Sequence, residues 1–193
     1  MMFKFDPLKL AHFEKENYVA YYQKDWLKLL RVSVGMVKES FGLSLWQAVY
    51  GAYLVARAEI AFAPFPDNDI PRAEAIMRRF FAYIRKIRSV EIDVEQAARL
   101  EVNWWSVHRK LFGQADNEEL VDAVAGAFAT AYHLPVDKVR QAAYHRVQGM
   151  LQSDLWVNQG KPKESPLLAV EEAELAKGYI ELQSALADQR GDR

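Results

Sequence analysis

The chain has 193 residues, 51% of them hydrophobic and 26% charged, with 25 Lys and Arg against 26 Asp and Glu for a net charge of −1. Such a balance excludes disordered, collagen-like and low-complexity classes and supplies no whole-chain attraction to nucleic acid or anionic membrane. The complete lack of cysteine excludes disulfide frameworks, thiolate nucleophiles, iron–sulfur clusters, covalent c-type haem and Cys-ligated zinc.

The first residues, Met1-Met2-Phe3-Lys4-Phe5-Asp6-Pro7, carry no apolar signal core, so the expected address is the cytoplasm. Asp6-Pro7 then reads as an N-cap and first-turn proline. Val19, Tyr22, Trp26, Leu29, Leu30, Ser33 and Val37 recur at helical spacing. This predicts one helix over 7–42 with a bend near Glu16-Asn17.

Ser44-Leu45-Trp46-Gln47 has capping-box form and opens a second helix to about Ala63, ended by Pro64-Phe65-Pro66. The apolar window 43–65 is long enough to span a bilayer. It contains Arg57 and Glu59, each costing roughly 2.5 to 3.5 kcal/mol at the membrane centre. No transmembrane segment is expected, and this stretch reads as a buried core helix.

Asp69 and Pro71 open a third helix to about Arg88, with Ile76, Met77, Phe80, Ile84 and Ile87 as its apolar stripe. Asp93 with Gln96 caps a fourth to Phe112, and Asp116 with Glu119 caps a fifth to about Tyr132. Leu134-Pro135 precedes a sixth over 136–158. Ser165-Pro166 opens a seventh, whose Leu168, Leu175 and Leu182 repeat every seven residues. The reading is all-α: a single-domain bundle of about seven helices. Residues 161–193 form a C-terminal helix after the short linker Lys161-Pro162-Lys163-Glu164, suited to a subunit contact in a homo-oligomer. Arg190-Gly191-Asp192 reads as a disordered tail.

Several catalytic motifs are absent. The chain has no Gly-rich phosphate loop, no G-x-S-x-G, no H-E-x-x-H, no calcium loop, and no Glu followed three residues later by His, which removes ferritin-like di-metal bundles. What stands out is the fourth helix. Glu101 and His108, two turns apart, share a face with Ala97, Trp104 or Trp105, and Phe112. A carboxylate and an imidazole in apolar surroundings are suited to proton transfer or metal binding. The plainer reading is a core pair satisfied by Arg109, backbone or water.

Glu59 lies on a small-residue face with Ala48, Ala52, Val55, Ala56 and Ala63, suited to close helix contact. It is a candidate third ligand or second carboxylate, or else the partner of Arg99 or Arg109 in a buried ion pair. His145, beside Gly149 and Trp156, completes the candidate polar site of Glu59, Glu101, His108, Arg109 and His145. His12 and His133 fall near helix ends, where an imidazolium suits a C-terminal dipole at 133.

The Glu101-x6-His108 spacing resembles part of the ligand pattern of the haem-oxygenase-like di-metal oxidases, which are seven- to eight-helix bundles. The resemblance implies a non-haem metal centre. The close-set His/Asp cluster of a late helix in that family has no counterpart here beyond His145 and Asp154, nine residues apart.

The third helix offers a different surface. Arg72, Arg78, Arg79, Arg85, Lys86 and Arg88 stand against Glu74 alone, a local charge of +5, on an amphipathic helix suited to an anionic partner. Residues 91–101 carry −3 and 114–122 carry −4, a countercharge within the chain itself. Nucleic acid is not expected at a pI near 6.4. The leading expectation is a binding or interaction protein whose aromatic-lined interior or basic helix face takes a small apolar or anionic ligand. The alternative is a metal-dependent oxidase or hydrolase with a Glu/His site between helices.

Overall fold

The computed structural model describes residues 4–114 and 117–191, and every regular element among them is helical. In chain order these are α1 (Pro7–Gln23), α2 (Trp26–Phe41), α3 (Leu45–Phe62), α4 (Ile70–Arg88), α5 (Val94–Lys110), α6 (Glu118–Tyr132), α7 (Val136–Asn158) and α8 (Pro166–Gly191).

The capping residues read from the sequence act as such. Asp6, Asp69 and Asp93 accept the backbone N–H groups of Lys9, Arg72 and Gln96, satisfying donors that the first helical turn leaves without partners. The Gln47 side chain accepts the Ser44 N–H at 3.0 Å in the expected capping box. Asp116, expected to cap α6, lies outside the described residues, where Asn117 stands at the N-cap.

Two expectations about the elements are corrected. The predicted first helix is two helices, broken at Lys24-Asp25 and not bent near Glu16-Asn17. Lys24 adopts a left-handed conformation at φ 60°, and the Asp25 carboxylate restarts the helix by accepting the Lys28 N–H at 3.1 Å. Second, α3 is not buried all round. It packs between α2 and α4, leaving Trp46, Tyr50, Tyr53 and Ile60 on an outward stripe with Trp46 80% exposed.

Sequential neighbours pack together from α1 to α8, and α8 returns along α1 to close the bundle. On the inner face of α8, Leu175 and Leu182 of the seven-residue repeat are buried. The helix therefore packs on α7 and α1 of its own chain. It runs on through Gly191, so the first two residues of the expected tail are helical and Asp192 is outside the described residues.

The α7–α8 approach is close. A Cβ at Gly178 would stand 2.8 Å from the Ala142 carbonyl oxygen, and one at Gly149 would stand 2.9 Å from Leu175 Cγ. This contact places Glu171 and Tyr179 against the α7 residues Arg146 and Ser153. Among the described residues no helix is long and apolar enough to cross a membrane.

Candidate functional site

All eight helices contribute to one interior cavity of about 280 Å³. The small residues of α3 explain part of it. Ala52, Val55 and Ala56, expected to bring α3 close to another helix, border the open volume, while at the end of α3 Phe62 meets Trp105 of α5 at 5.5 Å between ring centroids. Trp104, Trp105, Phe80, Phe81, Phe128 and Tyr132 supply aromatic walls. Four glutamates, Glu14, Glu59, Glu101 and Glu171, line the same space.

Arg146 anchors one side of the cavity. It is 8% exposed, its Nε donates to Glu14 Oε1 at 2.9 Å, and its guanidinium lies over the rings of Trp104 and Phe128 at 4.8 and 5.2 Å. Tyr179 donates its hydroxyl hydrogen to the other Glu14 oxygen. Burial works most strongly against the Arg146 charge, but Glu14, Tyr179 and Glu101 together outweigh it and the guanidinium is held above its ordinary pKa. Glu14 and Arg146 therefore neutralise each other inside the molecule.

A second network closes around Asp154. Its carboxylate accepts from Tyr18 Oη at 2.7 Å and from the Gly113 N–H at 2.9 Å, and it faces His108 Nε2 at 3.1 Å. The core partner of His108 is thus Asp154 of α7, not Glu101 or Arg109. Arg109 instead donates to the Phe62 carbonyl at 3.0 Å and lies 4.1 Å over the Phe62 ring, so it is not the mate of Glu59, and neither is the exposed Arg99. Asp154→Ala leaves these donors without their acceptor in a protein interior. A loss of about 2 to 3 kcal/mol is expected in urea denaturation, with Asp154→Asn less damaging because one acceptor oxygen remains.

The remaining carboxyls are in a different condition. Glu59 lines the cavity and is exposed by its accessible area, although protein crowds around it. Burial, followed by the charge of Glu101, pushes it up to about 7. Glu101 is also raised by burial, with Arg146 and the indoles of Trp104 and Trp105 pulling the other way. Glu171, 2% exposed, is pushed up to about 8, first by burial, with the nearby Ser153 hydroxyl moderating and Glu14 adding to the rise. Glu171 Oε2, Ser153 Oγ and Trp104 Nε1 are buried with no partner at full hydrogen-bonding distance, although the Ser153 hydroxyl lies close enough to Glu171, and the Trp104 indole to Glu101, to favour those carboxylates. These three residues all line the cavity or its wall.

Sequence reading therefore located Glu59, Glu101 and His108 at the cavity and missed Glu14, Arg146 and Glu171. His145 is elsewhere: its Nδ1 is 2.8 Å from Glu174 Oε2 and its Nε2 is 3.1 Å from Gln141. Among the described residues no group of three or more His, Asp or Glu side chains could hold a metal ion. The ligand set expected of a metal-dependent oxidase or hydrolase is not assembled there, since His108 faces Asp154 and His145 faces Glu174.

The basic face of α4 is only lightly countered. Arg78 approaches Glu95 at 3.5 Å and Arg88 donates to the Gly42 carbonyl at 3.2 Å. Arg72, Arg79, Arg85 and Lys86 are exposed. The acidic stretch 114–122, expected to offset this face, pairs instead with Lys110 and Arg140 through Glu119, Glu118 and Asp122. Comparison with protein-family models, with curated proteins and with solved structures finds no match for this chain.

Proposed function

We propose that this chain is a ligand-binding protein that takes a small organic molecule into the interior of its bundle. The observation that carries this reading is the cavity of about 280 Å³ bordered by buried polar atoms with no protein partner at full hydrogen-bonding distance. Interiors normally fill such space, and buried polar atoms normally find a donor or acceptor. A cavity of about 150 Å³ already admits benzene, so this one has room for a bicyclic aromatic molecule. Ligand sites between helices have this make-up: aromatic and apolar walls with a few polar groups. A single domain goes with the reading, since every helix reaches the same cavity.

The test is calorimetric titration with indole. The wild-type chain should show one saturable site. Ala56→Trp, which fills the cavity from α3, should show none while retaining its helical circular dichroism. If that variant does not fold, Ala52→Leu narrows the same wall and should weaken binding. Equal binding by wild type and a folded cavity-filling variant would place the site outside the bundle, and no binding by the wild type would also overturn the reading.

A further inference from the structure

We propose that the cavity selects an organic cation, a small aromatic molecule bearing a protonated amine, and that Glu171 Oε2 accepts the ammonium hydrogen beside Ser153 Oγ. The inference rests on the reading of the cavity as a ligand site and adds the sign of the ligand's charge.

Three observations support it. First, the acidic side chains at the cavity outnumber the fixed cation. Glu14, Glu59, Glu101 and Glu171 line it with Arg146, and the Arg146 guanidinium is already engaged by Glu14 at 2.9 Å. An anionic ligand would meet three further carboxyls and no uncommitted guanidinium.

Second, Glu171 is a buried acceptor whose neighbouring donor, the Ser153 hydroxyl, stops short of a full hydrogen bond. It is 2% exposed, its Oε2 has no partner at full hydrogen-bonding distance, and Ser153 Oγ has none either. A carboxylate in that setting is costly, so Glu171 keeps its proton until a charge or donor meets the carboxyl and displaces it. An ammonium supplies both, as a charge-assisted hydrogen bond in low dielectric. Third, the indole rings of Trp104 and Trp105 and the rings of Phe80 and Phe81 border the same space. Aromatic faces attract cations and accept a flat apolar body.

The experiment compares tryptamine, a cation at neutral pH, with 3-ethylindole, its neutral near-isostere, by isothermal titration of wild type, Glu171→Gln and Glu59→Gln. Tryptamine should bind the wild type about tenfold or more tightly than 3-ethylindole, the range of one charged hydrogen bond. Glu171→Gln should remove that preference by weakening tryptamine alone, and Glu59→Gln should leave most of it. Wild-type protein that binds 3-ethylindole as tightly as tryptamine would overturn the cation inference and leave the cavity reading standing. Failure of both probes to bind would overturn the two together. Loss of the preference in Glu59→Gln but not in Glu171→Gln would overturn the assignment of the ammonium to Glu171.

Discussion

Arg146→Ala is expected to lower the free energy of unfolding by about 3 to 5 kcal/mol, the range for removing one partner of a buried ion pair. Two losses add. Glu14, which faces Arg146 Nε at 2.9 Å, is left inside the protein with Tyr179 as its donor. The planar guanidinium is also lost from between Trp104 and Phe128, and with it a packing surface that a methyl group does not replace. Arg146→Lys should fall between the two, because an ammonium keeps the charge but not the planar stack. The double substitution Arg146→Met with Glu14→Gln should recover most of the loss by removing the orphaned charge. Urea denaturation at neutral pH reads all four proteins. A loss below about 1 kcal/mol for Arg146→Ala would mean that Glu14 is not dependent on its partner.

Glu171→Gln should change how stability depends on pH. In the folded chain burial holds the Glu171 carboxyl at about 8, against an ordinary value of 4.5. Between those values the folded state binds the proton more tightly than the unfolded one. The stabilisation is fully present below pH 4.5 and is lost as pH rises through 8. At about 1.4 kcal/mol per pKa unit, the loss from this residue is on the order of 4 kcal/mol. Glu59, raised to about 7 by burial and by Glu101, declines in the same direction and finishes earlier. Glutamine cannot ionise, so Glu171→Gln should match wild type near pH 5 and exceed it by most of that amount at pH 9. Denaturation curves collected at both pH values isolate the effect, since the other titrating groups are common to the two proteins. Parallel loss in both would show that Glu171 ionises as easily in the folded chain as in the unfolded one.

Local signals carried most of the helical architecture. Asp69 and Asp93 announced α4 and α5 because an N-cap acts on backbone only two or three residues away. The α1–α2 break was not legible, because apolar spacing continues from Val19 through Trp26 to Leu30 across it. Its one local sign was Asp25, three residues before the Lys28 N–H that it caps. The outward face of α3 was hidden for a related reason: a high apolar content does not tell which side of a helix meets its neighbours.

The site was legible only where a polar residue interrupts an apolar face within one helix, as Glu59, Glu101 and His108 do. Glu14 reaches Arg146 and Tyr179 across 132 and 165 residues of chain, and no local pattern encodes such partners. Two signals were nevertheless present. Glu171 lies three residues after Leu168 and four before Leu175, on the seam of the α8 repeat, and Arg146 lies between Ala142 and Met150 on the buried stripe of α7. A charge in either place has to be paired, neutral or held for something else.

The most direct test of the interior site is a crystal structure of the protein soaked with indole. The account predicts ring density inside the bundle, between the small residues of α3 and Trp104 and Trp105 of α5, with Glu171 Oε2 and Ser153 Oγ on the same cavity. Density confined to the outer stripe of Trp46 and Tyr50, or a cavity closed by inward collapse of those walls, would contradict it.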